Sequence, residues 1–184
     1  MKSLSPKQLQ ERVALQRDQQ AYKQLFFYYY QNLCRFALGF VRVKEAAEEV
    51  VSDVMLKVWS QGETLSRVDN LTVYLYRATR NRCLNYIRDH QKHNTTSLEQ
   101  LEDCFQYPHV NPEEAFINRE WNNRLREAVS GLPPKCQMVY KLVREDGLSY
   151  KDVATIMEIS ENTVDRHLNN ALHKMIRSVR AYVV

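Results

Sequence analysis

Between Tyr74 and Arg88 the chain interleaves three kinds of side chain. Arg77, Arg80, Arg82 and Arg88 alternate with Tyr74, Tyr76 and Tyr86, and with Asn81 and Asn85. Such a surface stacks on exposed bases and tracks a phosphate backbone. The same residues also suit a solvated basic helix face with Tyr76, Leu84 and Ile87 in a core, and on their own they leave the two readings open.

A second polar group lies near the C-terminus. Glu161, Asn162, Thr163, Asp165, Arg166, Asn169, His173 and Lys174 fall around one helical pattern, with Arg177 further on. Asn pairs with adenine and Arg with guanine in the major groove, each worth about 1–3 kcal/mol of discrimination. An aspartate such as Asp165 accepts from cytosine and repels phosphate. A third group, Glu45, Glu48, Glu49, Ser52, Asp53 and Lys57, lines one helical pattern between Lys44 and Ser60.

Enzyme chemistry finds little support. The chain has no Gly-rich phosphate loop, HExxH or GxSxG. Glu48 and Glu49 are adjacent on a helix and point different ways, which is poor for acid–base work. Cys34, Cys83, Cys104 and Cys136 are far apart and read as reduced structural thiols. His90, His93, His109, His167 and His173 form no metal set, so no cofactor or metal is expected.

The elements that must hold these groups are helices. The 184 residues include only 4 Gly and 5 Pro, and no alternating Val/Ile/Thr run suggests a strand. Ala21 to Val41 is one long helical pattern dense in aromatics. Lys44 to Ser60 follows, with Ala47, Val50, Val51, Val54, Met55, Val58 and Trp59 at close to helical spacing. Gly62 suits its stop, and Gln61 to Asp69 reads as a loop. Asp69 or Asn70 then caps a helix running to about His90. Glu113 to Ser130 is helical, with Phe116, Trp121, Leu125 and Val129 on its buried side. Pro134 opens the next helix at a position where its missing N–H is no loss.

From Leu148 to Ile176 the pattern is a helix-turn-helix. Ser149 caps a first helix reaching about Met157, with Asp152 in its first turn. Ala154 is small where two helices cross, Ile159 plugs the corner, and Ser160 caps a second helix from Glu161 to about Val179. Val164, Leu168, Leu172 and Ile176 are expected on the inward face. A glycine is usual in the turn, and Glu158 stands there instead, a strained choice if its φ is positive.

Charge is unevenly spread. Residues 1–91 carry 14 basic and 9 acidic side chains, residues 92–115 carry 1 and 5, and residues 116–184 carry 11 and 8. Two basic blocks therefore flank an acidic one, and the basic blocks are drawn to polyanions. No apolar stretch approaches the ~18 residues of a membrane span. The N-terminus lacks the apolar core of a signal peptide, so a cytoplasmic protein without membrane insertion is expected.

Taken together, the motifs closely resemble the extracytoplasmic-function (ECF) subfamily of bacterial sigma-70 factors. Ala46 to Trp59 is similar to the clamp-binding helix usually written DAEDLVQEVFLKAW, with Ala46 in place of the usual Asp and Ser52 in place of Gln. Tyr74 to Arg88 is similar to the segment that reads the −10 element. Leu132-Pro133-Pro134, Gly147-Leu148-Ser149-Tyr150 and Val153-Ala154 look like the opening of the −35 domain.

The resemblance implies an all-α fold of two small helical domains joined by a flexible linker. Residues 6–92 would form the region 2 domain, 93–111 the linker and 112–182 the region 4 domain with the helix-turn-helix. Core RNA polymerase, through its β′ clamp helices and β flap, and promoter DNA are the implied partners. An anti-sigma factor is a further one common in the family, and no small-molecule substrate is implied. Glu48, Glu49, Asp53 and Lys57 would meet the clamp. Tyr74, Arg77, Arg80, Asn81, Arg82, Asn85 and Arg88 would hold the −10 strand, with a flipped base near Gln61–Asp69. Glu161, Asn162, Thr163, Asp165, Arg166, Asn169, His173 and Lys174 would meet the −35 element. A helix-turn-helix regulator that is not a polymerase subunit is the alternative.

Overall fold

A computed structural model describes residues 4–90 and 127–180, and the chain divides into two compact units, Met1–Lys92 and His93–Val184. The expected linker, most of the helix expected from Glu113, and Phe116, Trp121, Leu125, Cys104, His93 and His109 lie outside the described residues. Every regular element among the described residues is helical.

The first unit begins with a helix that the periodicity reading passes over. Helix α1 spans Pro6–Gln16. Ser5 Oγ accepts from the Gln8 N–H at 3.3 Å, and the Gln8 side chain accepts from the Ser5 N–H at 2.9 Å. This reciprocal capping box satisfies two donors that a helix start leaves open, and Pro6 occupies the first turn.

Helix α2 (Gln19–Val41) is capped by Asp18, which accepts from the Gln20 and Ala21 N–H groups at 2.8 and 3.1 Å. These backbone donors, Ala21 first, lower the Asp18 pKa, and Arg12 at 2.6 Å adds to the effect. Helix α3 spans Lys44–Gln61 and helix α4 spans Leu71–His90. Asn70, one of the two expected caps, accepts from the Val73 N–H at 3.1 Å.

The segment expected as a loop between α3 and α4 is instead a 3-10 helix, Gly62–Arg67. Two forces order it. Leu65 is completely buried, and Gln10 donates to the Leu65 and Val68 carbonyls at 2.8 and 2.7 Å. A buried amide that closes two carbonyls fixes a short turn that has little propensity of its own.

Phe36 and Tyr76 anchor the core of this unit in an edge-to-face contact with ring centroids 5.0 Å apart. Leu25, Leu33, Met55, Leu65 and Leu75 are buried in the same unit, all under 2% exposed. Each such side chain contributes roughly 1.5–3 kcal/mol by leaving water.

In the second unit, helical residues 127–130 lead into helix α5 (Pro134–Arg144), α6 (Tyr150–Met157) and α7 (Glu161–Arg180). Pro134 is at the first turn of α5, and Gly147, at φ 69°, lets the chain reverse after it. Met138, Val139, Leu142, Val153, Ile156, Val164 and Leu168 form its interior.

Candidate nucleic-acid interface

Each helix of the helix-turn-helix is capped at its start. Ser149 Oγ accepts from the Asp152 N–H at 3.1 Å, and Ser160 Oγ accepts from the Thr163 N–H at 3.1 Å. Glu158 adopts the left-handed conformation, φ 57° and ψ 43°. Its N–H and that of Ile159 both close on the Ala154 carbonyl, the Ile159 contact at 3.1 Å. The turn thus needs a positive φ and holds it in a non-glycine residue, which costs on the order of 1 kcal/mol.

The inward face of α7 differs from the expected one. Val164 and Leu168 are buried, followed by Ala171 and Met175. Leu172 is only half-buried, and Ile176 is 48% exposed. Four residues advance a helix by 400°, so a strict spacing of four drifts 40° at each step. A stripe that stays on the core must alternate steps of four and three, as Val164, Leu168, Ala171 and Met175 do.

The outward face of α7 carries Glu161, Asn162, Asp165, Arg166, Asn169, His173 and Lys174, all exposed. Asn169 donates to Asp165 at 3.0 Å, so these two side chains present one joint polar surface. Thr163 is half-buried and its hydroxyl meets Ser160 Oγ at 2.8 Å, which commits it to the cap. His167 turns inward, with Nδ1 3.3 Å from Cys136 Sγ. Burial, then Arg166 and Lys135, lower its pKa, while burial raises that of the Cys136 thiol.

Helix α4 distributes its polar residues differently. Arg77, Asn81, Asn85 and Arg88 are exposed and, at spacings of four, four and three, share one stripe. Arg88 donates to Asn85 at 3.3 Å. Arg80 is only 6% exposed and lies with Thr79 and Cys83 among the buried residues of the helix. Tyr74 is half-buried, its hydroxyl accepting from Gln61 Nε2 at 2.7 Å. Arg82 donates through Nε and Nη2 to Asp53 Oδ2 of α3, at 3.0 and 2.6 Å.

Helix α3 packs against both α2 and α4, which also pack on each other, and shows solvent the face that carries Glu45, Glu49, Leu56 and Lys57. Glu48 and Asp53 are half-exposed at its two margins. On the α4 side is the Asp53–Arg82 pair. On the α2 side is an aromatic flank that the sequence pattern does not announce. Tyr22 packs on Trp59 with centroids 5.0 Å apart, and its hydroxyl donates to the Met55 carbonyl at 3.0 Å. Phe26 stacks on Tyr30 at 4.6 Å. Arg17 lies over the Trp59 ring at 4.5 Å and also donates to the Trp59 carbonyl. Leu56 is 62% exposed and Phe27 68%. From α2 through α3 to α4 the surface therefore runs aromatic, acidic, basic. The four-residue spacing of Tyr22, Phe26 and Tyr30 was the available signal, but which helix they face is a matter of topology.

The described residues contain no group of His, Cys, Asp and Glu able to hold a metal ion, and no helix long and apolar enough to cross a membrane. Cys34, Cys83 and Cys136 are free thiols. Burial pushes Cys34 up to about 11 and raises Cys83 further, so neither is a ready nucleophile.

Comparison with known proteins places both units. Residues 25–93 match the profile of sigma-70 region 2, and residues 122–175 match that of sigma-70 region 4. The chain is 25% identical over 164 residues to the RNA polymerase sigma-H factor of Pseudomonas aeruginosa, covering 85% of this chain and 84% of that protein. It is 26% identical over 160 residues to the ECF RNA polymerase sigma factor SigM of Mycobacterium tuberculosis, covering 87% and 78%. The probable RNA polymerase sigma factor RfaY of Xanthomonas campestris pv. campestris is longer, and the chain covers 39% of it at 24% identity.

Among solved structures, the sigma factor RpoE in complex with the anti-sigma factor NepR from Bartonella quintana gives a TM-score of 0.61. It is 18% identical and covers 86% of this chain and 96% of that one. CnrH in complex with the cytosolic domain of CnrY gives 0.59 at 18% identity, covering 96% and 97%. These likenesses show the fold.

Proposed function

Since the chain belongs to the ECF subfamily of the sigma-70 family, we propose that its units divide promoter recognition between them while core polymerase performs the chemistry. Residues 6–92 act as the region 2 domain, 93–111 as the linker and 112–182 as the region 4 domain. The C-terminal unit lays the start of α7 in the −35 major groove. Glu161, Asn162, Asp165, Arg166 and Asn169 meet base edges there, and His173 and Lys174 lie further along the backbone. Thr163 serves through the cap that fixes the helix start.

The N-terminal unit holds the −10 strand on Arg77, Asn81, Asn85 and Arg88. Tyr74 stands beside Gln61 at the edge of the 3-10 helix, where an unstacked base is caught. The acidic face of α3, Glu48, Glu49 and Asp53 with Lys57 beside it, docks on the β′ clamp helices. The C-terminal unit also meets the β flap. The protein works in the cytoplasm, and an anti-sigma factor of the kind bound to its structural neighbours is a further partner.

One observation carries this division. A doubly capped helix-turn-helix and a helix with an exposed Arg/Asn stripe occur in separate units of one chain. Run-off transcription with core polymerase on genomic DNA tests it. Initiation at discrete start sites that requires this chain is expected. DNA binding without initiation identifies a conventional helix-turn-helix regulator instead. Glu49→Lys with Asp53→Lys should abolish co-purification with core while circular dichroism stays native. Normal co-purification removes α3 as the docking face.

A further inference from the structure

We propose that Arg82 serves two partners in turn. Asp53 holds it while the acidic face of α3 is empty, and occupation of that face releases it to the promoter strand. This rests on the reading of α3 as the polymerase-docking face and α4 as the −10 face.

Three observations carry the exchange. First, Arg82 and Asp53 are joined across the α3–α4 seam, where the two proposed interfaces meet. Two N–H groups of Arg82 end on one oxygen, Asp53 Oδ2, at 3.0 and 2.6 Å. Second, the pair is neither buried nor idle. Its side chains are 44% and 42% exposed, so both can be reached by a partner without unfolding. A pair at that exposure is weak, because water screens it and two side chains must be held still. Third, Arg82 stands about 100° around α4 from Asn81, on the α3 side of the exposed Arg77–Asn81–Asn85–Arg88 stripe. The freed side chain is long and lies beside that stripe, within the same exposed surface of α4.

The electrostatics set the direction. On α3 the four acids Glu45, Glu48, Glu49 and Asp53 outnumber Lys44 and Lys57, and although Lys44 pairs with Glu48 at 3.7 Å the helix stays net acidic and suits a cationic partner. A cation arriving at Asp53 competes for the carboxylate and repels Arg82 at the same moment. Arg82 then adds a positive charge to the strand-binding stripe. In the free chain that charge is neutralised, so strand binding is weakest before the polymerase is engaged. Coupling of this kind is reciprocal: the factor by which core strengthens strand binding through Arg82 equals the factor by which strand strengthens core binding. The modest worth of an exposed pair limits the factor to about five-fold.

The full-length chain tests this with two probes. One is core polymerase. The other is a fluorescent single-stranded oligonucleotide carrying the non-template −10 sequence of a start site mapped by run-off transcription. Asp53→Asn should strengthen strand binding by the free chain about two- to five-fold. Arg82→Gln should strengthen core binding by a similar factor. At saturating core, the gain from Asp53→Asn should vanish, because core has already taken the carboxylate. Unchanged or weaker strand binding by Asp53→Asn overturns the proposal. So does weaker core binding by Arg82→Gln, which makes Arg82 a mere prop for Asp53. Glu49→Lys separates the layers. If it binds core normally, the docking face and the exchange both fail. If it loses core while the two neutral variants behave as wild type, only the exchange fails.

Discussion

Helices α4 and α7 have nearly the same length and both carry Arg and Asn in quantity, yet they expose those residues differently. Helix α7 has one narrow buried stripe, and every charged residue through Lys174 is exposed. Helix α4 packs against α2 through Tyr76 and Cys83, and meets α3 through Tyr74 and Arg82. Helix α7 also packs on two helices, α5 and α6, but its contacts fall on apolar residues, whereas those of α4 draw in its polar side chains. Arg80 is buried, Arg82 is paired and Tyr74 is held. Composition therefore overstates the binding surface of a helix whose polar residues are taken up by its own packing contacts.

The largest test of that contrast is on the core side of α7. Leu168→Ala removes a side chain that is 1% exposed and should cost about 2–5 kcal/mol. Ile176→Ala, at a position 48% exposed, should cost under about 1 kcal/mol. Chemical denaturation of the full chain reads both. Equal losses would restore the four-spaced stripe as the true inner face.

Next come the two arginines. Arg80→Ala should destabilise the N-terminal unit by about 1–3 kcal/mol, because its buried stem leaves a gap. Arg166→Ala should leave stability within about 0.5 kcal/mol and weaken −35 recognition by about 1–3 kcal/mol at one base position. A uniform loss on all duplexes would mean that Arg166 touches only phosphate. If Arg80→Ala keeps its stability and loses strand affinity, the contrast between the helices is wrong.

These particular residues also show what a sequence can disclose. Ser149, Ser160 and Asn70 were legible as caps because the cap and its N–H partner lie within three residues of each other. The strained turn at Glu158 was legible because a three-residue turn demands one positive φ. The Ser5–Gln8 capping box of helix α1 is just as local, but the helix behind it has few apolar residues to mark a periodicity. The 3-10 helix was not legible, since Gln10, about 55 residues away, orders it. The same holds for Asp53–Arg82 and for Arg17 on Trp59. Pairs that depend on which helices become neighbours leave no trace in spacing.

A smaller effect is expected at the turn itself. Glu158→Gly relieves the left-handed backbone and loosens the unfolded chain, so the net gain should be about 0.5–1 kcal/mol. Binding to the −35 duplex should not change. A loss of stability would show that the Glu158 side chain contributes more than its backbone costs.

The smallest effect concerns pH and separates α7 from α4 once more, because α7 holds an inward histidine whose pKa is moved. Burial lowers the His167 pKa from 6.5, and Arg166 and Lys135 lower it further. The Cys136 thiol, its pKa raised by burial, lies 3.3 Å from His167 Nδ1. The unfolded chain takes up a proton near pH 6.5, before the folded one does. The contribution of His167 is therefore fully present above pH 6.5 and is lost as pH falls from there through the lower folded value. Thermal unfolding of the C-terminal unit should drop in midpoint between pH 7.5 and 5.5, and His167→Gln should flatten that slope. An unchanged slope in the variant would assign the acid sensitivity to other groups and leave His167 as a packing residue.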